Sequence, residues 1–223
     1  MSQTYGDTFK SRNKLVVVSG IIGAGKTTLV KALAERLGWD AIHEPVASNP
    51  YLSLFYKDKK KYGFAMQIRL LAMRFRLHQH MVWQSASGIA DRSIYEDLIF
   101  AKMLHDSQDI SDLDFETYMG LFDDMANFLH RPDLIIYLNV KPEVALQRII
   151  KRGRQCELDI PLDYLKALEA GYLDWAKTGI DKRIRILTLD WNDDYVKDGI
   201  LDEAKLTEVV KSIEQCTRHQ IDM

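Results

Sequence analysis

Cysteine, charge of one sign and long apolar runs are all scarce in this chain. Of 223 residues only two are cysteine, Cys156 and Cys216. Neither sits in a CxxC or Cys/His spacing, which argues against a disulfide framework or zinc site and for a reducing compartment, the cytoplasm. Lys and Arg number 30 against 32 Asp and Glu, a formal charge of -2. General polyanion binders carry a strong basic excess, so nucleic acid is not an expected partner. A local pocket for one small anion is still compatible with that balance. No apolar stretch approaches the ~18 residues that span a bilayer, so no membrane partner is expected. The start, Met1 to Asn13, is polar and lacks a signal-type apolar core, so secretion is not indicated. No Gly/Ser/Pro linker, repeat or low-complexity tract breaks the chain. What remains is an ordinary globular composition, 47% hydrophobic and 28% charged. A polar tail over residues 1–13 and one α/β domain over 14–223 are expected.

Leu15-Val16-Val17-Val18-Ser19 reads as a buried parallel strand. A helix is expected from Thr27 to Leu37, stopped at Gly38. Further strands are expected at Asp40–His43, Ile89–Asp91, Leu134–Val140 and Arg183–Leu189. Helices are expected over Phe64–Ser85, Ile94–His105, Phe115–Leu129 with Ser111 as cap, from Pro142, from Pro161 to Ala176, and over Ala204–Cys216. Strands alternating with helices imply a five-stranded parallel sheet covered on both faces.

Gly20-Ile21-Ile22-Gly23-Ala24-Gly25-Lys26-Thr27 matches G-x-x-x-x-G-K-[ST] in full, between an expected strand and helix. Glycines let successive N–H groups turn inward onto phosphate oxygens, and the helix N-terminus adds positive potential. Lys26 can reach the terminal phosphates, and the Thr27 hydroxyl can ligate Mg²⁺. Gly20, Gly23, Ala24, Gly25, Lys26, Thr27 and Thr28 are therefore the phosphate-binding candidates. The loop by itself is equally at home in a GTPase, a motor or a small-molecule kinase.

Glu44, before Pro45, ends the second expected strand, where carboxylates reach the ligand crevice of such sheets. It suits a base for an attacking hydroxyl, although a solvated turn residue reads the same way. Asp91-Arg92-Ser93 follows the third strand: Asp91 stands where it can join Thr27 around Mg²⁺, and Arg92 where it can hold a substrate oxygen and phosphoryl charge. A helix cap with a salt bridge is the plainer alternative. Arg148, Lys151, Arg152 and Arg154 crowd one helix end, where they either complement its dipole or form a lid that closes over phosphates.

In order and spacing, the P-loop, Glu44-Pro45-Val46, Asp91-Arg92-Ser93 and Arg152-Gly153-Arg154 together resemble the deoxynucleoside kinase family. Asn49-Pro50-Tyr51-Leu52, Phe55-Tyr56 and Met66-Gln67-Ile68 are similar to its bacterial deoxyadenosine and deoxyguanosine kinase branch. The likeness runs from Lys14 to about Asp190. It implies a P-loop kinase fold with an arginine-rich lid that includes Arg152 and Arg154. It further implies ATP as donor, Mg²⁺ and a homodimer packed through the long helix and the Phe115–Leu129 helix. Glu44 matches the general base for the 5′-hydroxyl, and Arg92 the arginine that positions it. Asp91 matches the acidic residue near Mg²⁺, where relatives often carry Glu. Tyr56 and Glu157 match the pair on the 3′-hydroxyl, with the Tyr56 ring crowding out a 2′-hydroxyl. Gln67 matches the amide that reads the base. Many animal members have Trp where this chain has Asn49, so that wall of the site must be built differently.

Gln67 and Arg74, seven residues apart, share one helix face. In the family, Arg and Asp at the positions of Arg74 and Asp97 accompany purine deoxynucleoside and deoxycytidine use. A buried Arg paired with a carboxylate offers donors and acceptors to polar base edges; solvated surface charges are the alternative. Deoxyadenosine or deoxyguanosine is the expected acceptor, with deoxycytidine open. A thymidylate-kinase-like enzyme and a non-catalytic nucleotide switch are the rivals, although no Asn-Lys-x-Asp guanine motif is present. His78 and His80 read as packing or surface residues, Lys57 and Lys59–Lys61 as a solvated run, and the Trp191–Gly199 loop as a cover for adenine.

Overall fold

The computed structural model describes residues 13–43, 49–83, 86–178, 184–197 and 199–218. Strand β1, Leu15–Ser19, is buried along its whole length, as its unbroken β-branched run requires. It feeds the P-loop and helix α1, Lys26–Leu37, which ends on a left-handed Gly38. β2 is Asp40–Ile42, and a short helix α2, Leu52–Lys57, precedes the long helix α3, Lys59–Trp83. β3, Gly88–Asp91, runs into a 3₁₀ turn at Ile94–Glu96 and helix α4, Asp97–Asp106. Helix α5, Asp112–Asn127, starts at Ser111, whose hydroxyl accepts from the Asp114 amide as a cap should.

β4 is Leu134–Asn139, and α6, Pro142–Arg152, has Pro in its first turn and a left-handed Gly153 behind it. A 3₁₀ turn, Gln155–Glu157, precedes α7, Leu162–Thr178. β5, Ile186–Asp190, a small hairpin of β6, Val196–Lys197, and β7, Ile200–Leu201, and α8, Glu203–Arg218, complete the order.

The five strands β1–β5 form one parallel sheet in the order β2-β3-β1-β4-β5. α1 packs with α8 on one face, while α4 and α7 pack together on the other. The chain leaves β1 first toward β2 and later toward β4, so the order reverses beside β1. The ligand crevice of such sheets opens at that point, outside the strand C-termini. Val18 pairs with Asp91, which puts the P-loop and the Asp91-Arg92-Ser93 segment at the same edge. A continuous core joins the sheet to its helices. A second apolar cluster, Leu52, Phe55, Met66, Leu70, Leu104 and Ile110, holds α2 and α3 to α4.

The expected strands and long helices are present, with three differences. α2 and the β6–β7 hairpin were not anticipated. α3 begins at Lys59 rather than Phe64, so Lys59–Lys61 form its first turn, and Lys59 lies over the Tyr164 ring at 4.2 Å. The helix expected from Ile94 starts as a 3₁₀ turn that becomes α-helical only at Asp97. Ser85, Arg183 and Asp198 fall outside the described residues, as do residues 1–12 of the expected tail.

Candidate active site at the sheet edge

The phosphate loop wraps the N-terminus of α1 at the C-terminal end of β1. Gly23 has φ +82°, and a Cβ there would stand 2.5 Å from the Ala145 carbonyl oxygen. Only glycine fits both the left-handed backbone and the close approach of α6. The Lys26 ammonium lies over the loop and donates to the carbonyls of Gly20 at 2.9 Å and Ile21 at 2.7 Å. Thr27 donates its hydroxyl to Asp91 at 2.5 Å, which brings the two proposed metal neighbours into direct contact.

A cavity of about 200 Å³ opens beside this loop. Lys26, Thr27, Asp91 and Arg92 line its sheet side, and Tyr56, Gln67, Arg74, Arg152, Arg154 and Glu157 its other walls. Residues scattered over the sequence thus meet in one cleft. Thr28, Gly20, Ala24 and Gly25 belong to the loop but not to that lining. Glu44 lies outside the described residues; its neighbour His43 lines the cleft.

Gln67 is buried, and its carbonyl oxygen has no partner among the described residues. Arg74 forms a buried ion pair with Asp97, so the surface-charge alternative does not hold. Arg74 faces the cleft, whereas Asp97 stands behind it and supplies the counter-charge. Leu52, Phe55, Met66 and Leu70 line the wall near Asn49. Asn49 itself is buried and donates its amide to the Met66 sulfur at 3.2 Å. The apolar wall is therefore made by α2 and α3, with Asn49 as a brace behind them.

On the wall that carries Glu157, burial followed by the nearby Tyr164 and Glu157 pushes the Tyr56 phenol pKa well up, so its hydroxyl remains a donor. Arg152 and Arg154 both pair with the buried Glu157 carboxylate. Arg148, grouped by sequence with these arginines, has a different place. Its guanidinium donates to the carbonyls of Ala24 at 3.3 Å, Trp191 at 3.0 Å and Asp193 at 2.8 Å. It is a bracket between the P-loop and the segment after β5. Trp191 is likewise buried, with its indole nitrogen 3.3 Å from where a Gly25 Cβ would be. It backs the phosphate loop.

Arg92 has φ +74°, a left-handed backbone that costs a side-chain-bearing residue about 1–2 kcal/mol. Its amide donates to Val18 at 3.0 Å, which fixes the turn. The guanidinium lies 5.1 Å from the Phe100 ring centroid. It donates to the Tyr172 hydroxyl at 2.7 Å, and the Glu96 carboxylate lies 3.3 Å away. Sequence reasoning missed Glu96, Tyr172, Phe100 and Tyr164. A carboxylate four residues after Arg92 was the one available signal, and only for Glu96.

The deoxynucleoside kinase family model matches residues 16–216. The chain belongs to that family. It is 44% identical over 197 residues to a deoxyadenosine kinase of Dictyostelium discoideum, covering 88% of this chain and 78% of that protein. It is 41% identical over 168 residues to a deoxyadenosine/deoxycytidine kinase of Bacillus subtilis (strain 168), covering 74% of this chain and 77% of that one. The structure of deoxyadenosine kinase from M. mycoides with bound dATP superposes with TM-score 0.79 at 29% identity, over 90% of this chain and 99% of that one. The same enzyme with bound dCTP gives TM-score 0.75 at 30% identity, over 90% and 98%. This kinase is thus a phosphotransferase acting on deoxynucleosides, and the nucleotide-switch alternative is set aside. Among its described residues no helix is long and apolar enough to cross a membrane.

Proposed function

We propose that this kinase transfers the γ-phosphoryl group of ATP to the 5′-hydroxyl of deoxyadenosine or deoxyguanosine, with deoxycytidine accepted. The observation that carries the reading is one cleft lined both by Lys26 and Thr27 of the phosphate loop and by Gln67 and Arg74 of the opposite wall. The loop amides of Gly20 to Thr28 hold the donor's phosphates, and Lys26 carries the terminal charge. Glu44 accepts the proton of the 5′-hydroxyl as its oxygen bonds to the γ-phosphorus and the bond to the ADP oxygen breaks. Arg92 orients that hydroxyl and offsets charge on the moving group.

Thr27 and Asp91 offer adjacent hard oxygens at the loop, a donor set that fits Mg²⁺. When bound, that ion neutralises phosphate charge. Tyr56 and Glu157 take the 3′-hydroxyl. Arg152 and Arg154 form the arginine lid over the phosphates, and their pairing with Glu157 ties the phosphate side to the sugar side. The unpartnered Gln67 carbonyl accepts from an exocyclic amine such as adenine N6, and the Arg74–Asp97 pair supports a polar base edge.

The same reading takes residues 14–223 as one kinase domain in a reducing, cytoplasmic setting, in line with Cys156 and Cys216 both being free thiols. It assigns no nucleic-acid or membrane partner. It also assigns a homodimer through α3 and α5, supported by the exposed Trp83, Leu113 and Phe128 on or beside them. A panel of deoxynucleosides and dTMP, assayed with ATP and Mg²⁺, tests the activity. Highest kcat/KM is expected for deoxyadenosine or deoxyguanosine; a maximum on thymidine or dTMP would overturn the assignment.

A further inference from the structure

Behind Arg92 lie two buried polar groups, Tyr172 and Glu96, that the reaction as described does not use. The Arg92 guanidinium donates to the Tyr172 hydroxyl at 2.7 Å, and that hydroxyl donates to Glu96 Oε2 at 2.7 Å. The same Glu96 oxygen faces the Gly20 amide at 3.4 Å, at the first residue of the phosphate loop. Glu96 and Tyr172 are both fully buried. The Tyr172 ring is fixed by stacking on Tyr137 with centroids 5.6 Å apart and by edge contacts with Phe100 and Trp175. Burial keeps its phenol protonated, so the direction of both bonds is set.

We infer that Glu96 and Tyr172 are positioning residues that aim the Arg92 guanidinium and lock it to the start of the phosphate loop. Neither lines the cleft, so neither reaches substrate. A buried carboxylate has to be compensated, and here the compensation joins the acceptor side of the reaction to the donor side. Arg92 needs such a hold because its backbone is left-handed and its side chain has several rotatable bonds. A guanidinium with two fixed anchors retains its aim as charge develops on the phosphoryl group.

The inference rests on the reading of Arg92 given above, and the test separates the two. Y172F removes one oxygen and leaves the ring stack intact, so folding is retained; E96Q and R92K accompany it. Single-turnover phosphorylation is measured with excess enzyme, and steady-state KM for ATP and deoxyadenosine in parallel. Y172F is expected to lower kcat about 10-fold while both KM values change less than about twofold. E96Q shifts kcat in the same direction. R92K is expected to lose on the order of 100-fold, and adding Y172F to R92K to cost less than about twofold more, because groups that act as a unit are not additive. Unchanged kcat in R92K removes Arg92 from its role, and this inference with it. An impaired R92K with normal Y172F and E96Q overturns the inference alone. So does a Y172F loss that is equal in both backgrounds.

Discussion

Acidification is expected to destabilise this kinase through His78. His78 lies in α3 with 3% of its surface exposed, and its Nε2 sits 2.6 Å from the His130 carbonyl oxygen. Burial, with Tyr95 packed against the ring, disfavours the imidazolium and outweighs the bond to the His130 carbonyl; the His130 ring adds a smaller lowering, and the pKa falls from 6.5 to about 4. The folded pKa lies below the unfolded one, so the unfolded chain binds the proton first. The stability of the neutral histidine is complete above pH 6.5 and is lost as pH falls from 6.5 toward 4. Linkage across that gap gives about 2 kcal/mol lost by pH 5 and about 3 kcal/mol at its limit, on the order of 1.4 kcal/mol per pH unit in between. The perturbation is H78Q, which keeps a donor for the His130 carbonyl but cannot titrate. Urea unfolding of both proteins at pH 7.5, 6.5, 5.5 and 5.0 reads the effect. The variant starts lower at pH 7.5 because its packing is poorer, and the two curves converge by about 2 kcal/mol at pH 5. Curves that stay parallel from pH 7.5 to 5.0 would refute the buried, neutral histidine.

Three further outcomes follow from the same geometry. D97N leaves Arg74 buried against a neutral amide and is expected to cost about 3–5 kcal/mol, read as a fall in midpoint on thermal denaturation; a midpoint equal to that of the parent would show the pair to be solvated. R148A unfastens the P-loop from the segment after β5, and KM for ATP should rise about 10-fold with KM for the deoxynucleoside within about twofold. Equal changes in both constants would count against the bracket. E44Q should abolish turnover while calorimetry still detects nucleoside binding, and retained kcat would remove Glu44 as base.

The parts of the site that are contiguous in sequence were legible from it. The P-loop occupies eight consecutive residues whose spacing has one physical use, and β1 and α1 flank it as expected. Gln67 and Arg74 were legible through the family resemblance, and helical periodicity added only that they share one face. Their burial and the place of Asp97 behind Arg74 needed the packing of α3 on α4. Tyr172 was invisible for a different reason: its partners Glu96 and Arg92 are 76 and 80 residues away, and a tyrosine in an amphipathic helix reads as core. The place of Arg148 was not legible because a basic helix end is the same string whether its side chains face phosphate or carbonyls. The β6–β7 hairpin escaped because two-residue strands carry no periodicity.

The satellite cluster that fastens α2 and α3 to α4 has a consequence for acceptor choice. The phosphate loop is seated on the sheet core, while the wall of the cleft that carries Gln67 is fastened in part by this second cluster. Mutations that remodel the pocket floor through Leu52, Phe55, Met66 or Leu70 draw on the cohesion of that cluster and leave the strands under the P-loop undisturbed. On the proposed reading, in which that wall holds the base, repacking these side chains is expected to change acceptor preference while phosphate binding is retained.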